Sequence, residues 1–227
     1  MASARQQLAA GRCDLAGPVA SARQQLAAVN EAREAGLPLC RQAIRAASSA
    51  IRAIHRLEDD RAEALIAECE KAVRGAQEVL SPHPAVAFAG FLHDAEKEYA
   101  EAVLTRALVA GAELPGPERI GVGVPAWLNG LAEAASELRR HLLDGLRRGQ
   151  TDEAERLLER MEDVYEALVG VDFPDAVTGG LRRSADALRA VLERTRSDVT
   201  TTVMQLRLQA ALERAAPDTA PGGPDRI

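Results

Sequence analysis

Two pairs of glutamates at one-turn spacing are the residues of this sequence whose chemistry can be read most directly. Glu98 and Glu101 are three positions apart, and Glu133 and Glu137 are four apart. Both spacings place the members of a pair on one face of an α-helix, where like charges repel each other. Neither Glu98 nor Glu133 has a basic residue three or four positions away along the chain. The pattern therefore predicts a compensating cation.

A divalent metal ion would supply that compensation. Mg²⁺ and Mn²⁺ take carboxylate oxygens as ligands, and two facing helices of a bundle can present four of them. In phosphodiester hydrolysis, such ions neutralise the phosphate, activate water and stabilise the leaving oxygen. The four glutamates are candidate metal ligands and catalytic residues, and one of them can accept the proton of the attacking water. Alternatively, both pairs are solvated helix faces, like the acidic cluster Glu159, Glu162, Asp163 and Glu166.

The helices that would carry these pairs are delimited by proline and glycine. The breakers lie at Pro38, 81–84, 111–125, Gly149 and 173–180. The helices predicted between them cover residues 38–58, 60–80, 85–110, 126–148, 151–169 and 181–214. Ala, Leu, Glu and Arg fill these segments, a composition typical of packed helices. We predict an all-α, antiparallel bundle of about six to seven helices.

Apolar side chains share one face of each helix that carries a glutamate pair. On the third helix this face consists of Phe88, Phe91, Leu92, Ala95, Tyr99, Ala102 and Val103. On the fourth it consists of Leu128, Leu131, Ala132, Ala135, Leu138 and Leu142. We expect these faces to form the core, with the glutamates on the opposite side.

The chain is expected to hold one domain, over residues 37–214. Residues 1–36 form an extension in which the octapeptide SARQQLAA occurs twice, at 3–10 and 21–28. Residues 215–227 are rich in proline and glycine and have little to bury, so we expect a disordered tail.

Composition excludes several classes of protein. The cysteines Cys13, Cys40 and Cys69 are odd in number and lack a CxxC pair, which argues against disulfides and zinc and favours the cytoplasm. No apolar run is long enough for a membrane span. No Glu or Asp stands three residues before any histidine, which disfavours a ferritin-like di-iron site.

Basic residues offer local contacts for nucleic acid, although the net charge of −6 argues against a surface that binds phosphate everywhere. Arg139 and Arg140 follow the second glutamate pair, and Arg45 and Arg189 lie on the first and last predicted helices. Arg140 is one turn from Glu137 and is the main candidate for a phosphate contact. The alternative for each arginine is an ordinary solvated helix face.

Several strings resemble the translin family, most closely its nuclease branch, translin-associated factor X. KEYAEA at 97–102 resembles QEYVEA of that branch, and WLNGLAEAASELRR at 127–140 resembles YLLGVADLTGELMR. LCRQAIRAASSAIRAIHRL at 39–57 resembles LSRDITVESKRTIFLLHRI, and VYEAL at 164–168 resembles VYDGF. The likeness covers roughly residues 37–207. Translin proper has apolar residues at the positions of Glu98 and Glu133.

The resemblance implies a function for the glutamates. In the nuclease branch, the matching positions are the acidic residues of a Mg²⁺-dependent ribonuclease centre, with aspartate where this chain has Glu133. The family forms closed octamers with nucleic acid inside. The resemblance therefore implies an endoribonuclease acting on single-stranded RNA, with single-stranded DNA as a further ligand, in a homo-oligomer or with a translin-like partner subunit. A binding protein of the translin type that does not cut, and a purely structural helical module, stay open.

Overall fold

The computed structural model describes residues 15–215, and every regular element in that range is an α-helix. The helices are α1 (Ala16–His55), α2 (Asp59–Leu80), α3 (Pro84–Ala87), α4 (Phe91–Ala110), α5 (Pro117–Ile120), α6 (Val124–Arg147), α7 (Thr151–Val169), α8 (Asp175–Thr178) and α9 (Leu181–Ala215). The prediction of an all-α fold with six long helices is confirmed. Within the described range, no helix is both long and apolar enough to cross a membrane.

The long helices form two groups of three that meet at the contact between α4 and α6. Helices α1, α2 and α4 make one group, and α6, α7 and α9 make the other. Short connections make consecutive long helices antiparallel, except for α4 and α6. These two helices are parallel, because the later contact on α4 is also the later one on α6: Glu96 contacts Gly123, and Ala100 lies beside Gly130. Residues 111–123 carry the chain back, so the two glutamate pairs lie on helices that run side by side.

The first helix is longer than the sequence predicted. Its expected start at residue 38 is wrong, because α1 begins at Ala16 and contains Pro38. A proline inside a helix costs about 3 kcal/mol, so packing must compensate. Gly36 supplies such packing, since a Cβ at that position would lie 2.7 Å from the Leu80 side chain of α2. The predicted domain start at residue 37 therefore falls inside α1.

The first part of the predicted N-terminal extension and nearly all of the predicted C-terminal tail lie outside the described residues. The first SARQQLAA copy, at 3–10, and the tail from 216 onwards are not described. The second copy, at 21–28, lies in an exposed part of α1. The extension and the tail therefore stay predictions.

The third predicted helix is divided in two. Residues 85–110 were expected to be continuous, but α3 ends at Ala87 and α4 begins at Phe91. Gly90, at a φ of 99°, turns the chain between them, a conformation that glycine adopts without strain. As a result, Phe88 is 87% exposed, and its predicted place in the core is wrong. Farther along the same face, Ala95, Tyr99 and Ala102 are buried as expected.

Two cysteines lie in the core of the first helical group. Cys40 of α1 and Cys69 of α2 are buried free thiols. Burial raises the pKa of the Cys40 thiol to about 11 and that of Cys69 to about 12. Both thiols are therefore protonated at neutral pH and act as small apolar groups.

Helices α4 and α6 approach most closely at Gly130. A Cβ at this position would lie 2.8 Å from the backbone oxygen of Lys97 and 2.9 Å from the Cβ of Ala100. Ala126 and Ala134, one turn to either side, are fully buried. This small-residue stripe lets the backbones of the two helices pack against each other.

Replacing Gly130 by alanine tests this contact. Alanine is the better helix former, but here its Cβ meets backbone, so we expect Gly130→Ala to lower the free energy of unfolding by about 1–3 kcal/mol. Gly145 of the same helix is the matched control, because its Cβ would have no neighbour closer than 3.8 Å. Gly145→Ala should stabilise by about 0.5–1 kcal/mol. Urea denaturation measures both, and equal effects would contradict the proposed close contact.

Candidate metal centre

Three of the four predicted glutamates converge between α4 and α6. Glu98 and Glu101 of α4 and Glu133 of α6 each offer one carboxylate oxygen, and these oxygens lie within 4.8 Å of one another. Glu101 is 8% exposed, whereas Glu98 and Glu133 are half-buried. The convergence follows from the close approach at Gly130, which lies one turn before Glu133 on α6. We call these three residues the glutamate cluster.

Glu137 lies one turn beyond Glu133 and is held by a histidine. Its Oε2 is 2.6 Å from Nε2 of His55, near the end of α1. The His55 side chain is only 2% exposed. Because a carboxylate accepts hydrogen bonds, the shared proton belongs to Nε2 of the ring. This hydrogen bond fixes Glu137 beside the cluster, close enough for its charge to act on Glu101.

Glu101 is the carboxylate whose ionisation the site opposes most. Burial is the main cause, followed by the negative charges of Glu133, Glu98 and Glu137, while Lys97 acts in the opposite direction. Together they raise the pKa of Glu101 from 4.5 to about 8. Glu101 therefore holds a proton at neutral pH, which reduces the repulsion within the cluster.

Lys97 supplies a positive charge that the spacing of the glutamates did not reveal. Its Nζ donates to both carboxylate oxygens of Glu133, at 2.7 and 2.6 Å, and lies 3.3 Å from Oε1 of Glu98. Burial alone would lower the pKa of Lys97, but the hydrogen bonds and charges of Glu133 and Glu98 outweigh it and raise the pKa. Neither glutamate has a basic residue one turn away along its helix, and Lys97 supplies a positive charge to both where α4 and α6 meet.

The four predicted phosphate-binding arginines have different surroundings. Arg139 ties α6 to α9, donating to Thr195 at 3.0 Å and to Asp198 at 2.7 Å. Arg140, Arg45 and Arg189 are exposed. Arg139 therefore has a structural partner, and the role of each arginine toward nucleic acid stays a prediction.

Three residues complete the site beyond those that the sequence singled out for chemistry. Lys97 stands beside Glu98 in the KEYAEA string, and its proximity to Glu133 depends on how α4 and α6 pack. His55 belongs to the HRL string that resembles the translin family, but nothing in the sequence indicates that it reaches Glu137. Gly130 is the third, and its position in a stripe with Ala126 was the only signal of a close approach.

Similar proteins are known from sequence and from solved structures, although no protein-family model matches the chain. An uncharacterized protein of Methanocaldococcus jannaschii is 30% identical over 184 residues, which is 80% of this chain and 81% of that protein. The crystal structure of AfC3PO is 30% identical with a TM-score of 0.75, over 83% of this chain and 98% of that one.

Two further structures share the fold. AfC3PO in complex with duplex RNA is 29% identical with a TM-score of 0.75, over 83% of this chain and 97% of that one. Apo-NeC3PO, at 17% identity and a TM-score of 0.73 over 81% of this chain and 96% of that one, agrees in fold alone.

The raised pKa of Glu101 predicts how stability depends on pH. Since the folded protein binds this proton more tightly than the unfolded chain, the contribution of Glu101 to stability is complete below about pH 4.5. It is lost as the pH rises through about 8. Glu101→Gln cannot lose a proton, so its free energy of unfolding should rise relative to wild type over this interval. The measurement is urea denaturation in EDTA across the pH range, where Glu98, Glu133, Glu137 and Lys97 are the charged groups facing Glu101.

The exposed Glu159 of α7 provides the matched control for this prediction. Glu159→Gln removes a carboxylate of the same type from a solvated position. Its free energy of unfolding should differ from that of wild type by the same amount at every pH. If the difference in the free energy of unfolding between Glu101→Gln and wild type were also independent of pH, the raised pKa of Glu101 would be contradicted.

Proposed function

Because the chain belongs to the translin family, we propose that it is a Mg²⁺-dependent endoribonuclease that cuts single-stranded RNA within an oligomeric assembly. The observation that supports this most directly is the convergence of Glu98, Glu101 and Glu133 from two helices. Carboxylates on one helix face are common on solvated surfaces, but here three of them meet across a tight helix contact, and Glu101 is buried. We place this chain in the nuclease branch of the family.

The residues present fit a hard divalent cation. The cluster offers carboxylate oxygens, the ligands that Mg²⁺ and Mn²⁺ prefer, and its positions lie on rigid helices. Glu98, Glu101 and Glu133 would hold the ion, with Glu137 as a further direct or water-mediated ligand. When bound, Mg²⁺ or Mn²⁺ neutralises phosphate charge and makes water more acidic.

The side chains around the proposed ion have further roles in the reaction. Burial and the neighbouring carboxylates raise the pKa of Glu101 to about 8, so Glu101 would release its proton on binding the ion. His55 restricts Glu137 by holding its Oε2. Arg140 is exposed and one turn from Glu137, so we assign it the phosphate contact, and Arg45, Arg189 and Arg139 the supporting ones.

The substrate we assign is RNA. A structure of AfC3PO is in complex with duplex RNA, whereas the resemblance to the nuclease branch favours single strands for this chain. A net charge of −6 weakens binding to the protein as a whole, but an enclosed cavity formed by several subunits can still present arginines to the RNA. We therefore propose a homo-oligomer, with an octamer as the expected size.

A second candidate function is supported by Lys97. Its ion pairs with Glu133 and Glu98 compensate the cluster without a metal ion. A protein that binds single-stranded RNA or DNA without cutting it, as translin does, is compatible with this arrangement. The two functions differ in whether RNA is cleaved when Mg²⁺ is added.

The double substitution Glu98→Gln/Glu133→Gln separates the two functions. It removes two metal ligands, so cleavage of labelled single-stranded RNA in Mg²⁺ should fall on the order of 100-fold or more, the loss seen when one electrostatic stabiliser of a transition state is removed. RNA binding should persist or strengthen, because two charges that repel phosphate are gone. Gel-based cleavage and filter binding measure the two effects, with single-stranded and duplex RNA compared in Mg²⁺ and in EDTA.

Glu159→Gln/Glu166→Gln is the matched control for the double substitution. It removes two exposed carboxylates of α7, so the net charge changes equally while the cluster stays intact. This variant should cut RNA like wild type. RNA binding by the wild type without Mg²⁺-dependent cleavage would favour the second function, and cleavage that survives Glu98→Gln/Glu133→Gln would place the chemistry elsewhere.

A further inference from the structure

Lys97 lies where two carboxylates of the proposed metal centre can both reach its ammonium group. Nζ is 2.6 and 2.7 Å from the oxygens of Glu133 and 3.3 Å from Oε1 of Glu98. The side chain is 19% exposed, so the ion pairs are partly shielded from water. One ammonium group thus bridges the α4 half and the α6 half of the glutamate cluster.

Lys97 engages carboxylate oxygens of Glu133 and Glu98, two of the three residues that would hold a divalent cation. Both carboxylate oxygens of Glu133 accept hydrogen bonds from Nζ, so Glu133 cannot present them freely to a metal ion. An ion at that position would also lie within a few ångströms of a positive charge, and this repulsion is strong in a partly buried site. Metal binding and the Lys97 ion pairs therefore oppose each other.

Position 97 is a lysine and not an arginine, which agrees with ion pairs that a metal ion can displace. Only Lys71 and Lys97 are lysines among the 28 basic residues of the chain. An ammonium group is a compact charge on a flexible stem, whereas a guanidinium group would form a rigid, bidentate pair with a carboxylate. The family string that resembles residues 97–102 has glutamine at the position of Lys97, so the fold of α4 does not require a charge there.

We propose that Lys97 is an internal competitor of the divalent cation, and that metal binding exchanges its ammonium group for the metal ion at Glu133 and Glu98. This inference rests on the proposed function, because it concerns the same metal centre. Lys97 is a positioning residue in this scheme: it holds the two carboxylates together before the ion arrives and lowers the affinity for it. The exchange would break the ion pairs of Lys97 and form metal–carboxylate bonds in their place, and no covalent bond of the chain changes.

Calorimetric titration with Mn²⁺ alone tests the exchange without RNA. Lys97→Gln and Lys97→Met remove the charge, and we expect both to bind Mn²⁺ about tenfold more tightly than wild type, or better, because no ammonium has to leave and none repels the ion. Lys71→Gln is the matched control: it removes the other lysine, which is exposed on α2, and should bind Mn²⁺ like wild type. Circular dichroism checks that each variant is folded.

A second measurement uses the wild-type protein and does not depend on the folding of any variant. With ¹³C-labelled lysine, the chain gives signals from two side chains, and Lys71→Gln assigns them. Titration with Mg²⁺ should shift the Cε signal of Lys97 and leave that of Lys71 unchanged, because only Lys97 leaves its carboxylate partners.

The outcomes separate this inference from the proposed function. Equal or weaker Mn²⁺ binding by the Lys97 variants, absence of binding by every form, or a Lys97 signal that Mg²⁺ does not move would overturn the exchange. Tighter binding by the Lys97 variants together with a wild type that does not cut RNA would uphold the exchange and overturn the nuclease function.

Discussion

The close approach of α4 and α6 at Gly130 is the constraint on which the site depends. Without a Cβ at this position, the backbone of α6 can contact Lys97 and Ala100 of α4, and the glutamates on either side are forced together. Three carboxylates within 4.8 Å of one another repel strongly in a partly buried site. The fold can keep this contact only if the negative charge is reduced or compensated, so the packing of two helices dictates the electrostatics of the centre.

Two residues of the chain itself reduce or compensate the negative charge of the cluster. Glu101, the most buried of the cluster, keeps its proton up to about pH 8, and Lys97 pairs with Glu133 and Glu98. Each device stabilises the folded chain and would oppose metal binding, since a metal ligand must be deprotonated and its oxygens free. In the proposed function, the affinity of the centre for a divalent cation would be a balance between its ligands and the groups that compensate them.

Much of this could be predicted from sequence, because local patterns determine it. Glycine and proline delimited four of the six long helices to within two residues. In a fifth they missed the break at Gly90, and the family strings selected the glutamates that converge. What the sequence could not show depends on packing between helices. Pro38 predicts a helix break because the cost of a proline is local, whereas the contact of Gly36 with α2 that offsets this cost is not local. Lys97 and His55 reach their carboxylate partners across helix pairs, where spacing along one helix carries no information.

The energetics of the cluster bear on which of the two proposed functions, cleaving RNA or binding it, the chain performs. Phosphate binding favours positive charge, so acidic residues that face RNA weaken its affinity. A protein that only bound RNA would gain by having apolar side chains at positions 98 and 133, the residue type that translin proper has there. This chain instead keeps Glu98 and Glu133 beside the buried Glu101 and uses Lys97 to hold them together. Like charges held this close cost stability and would weaken RNA binding, and the proposed metal-dependent catalysis gives those losses a physical reason.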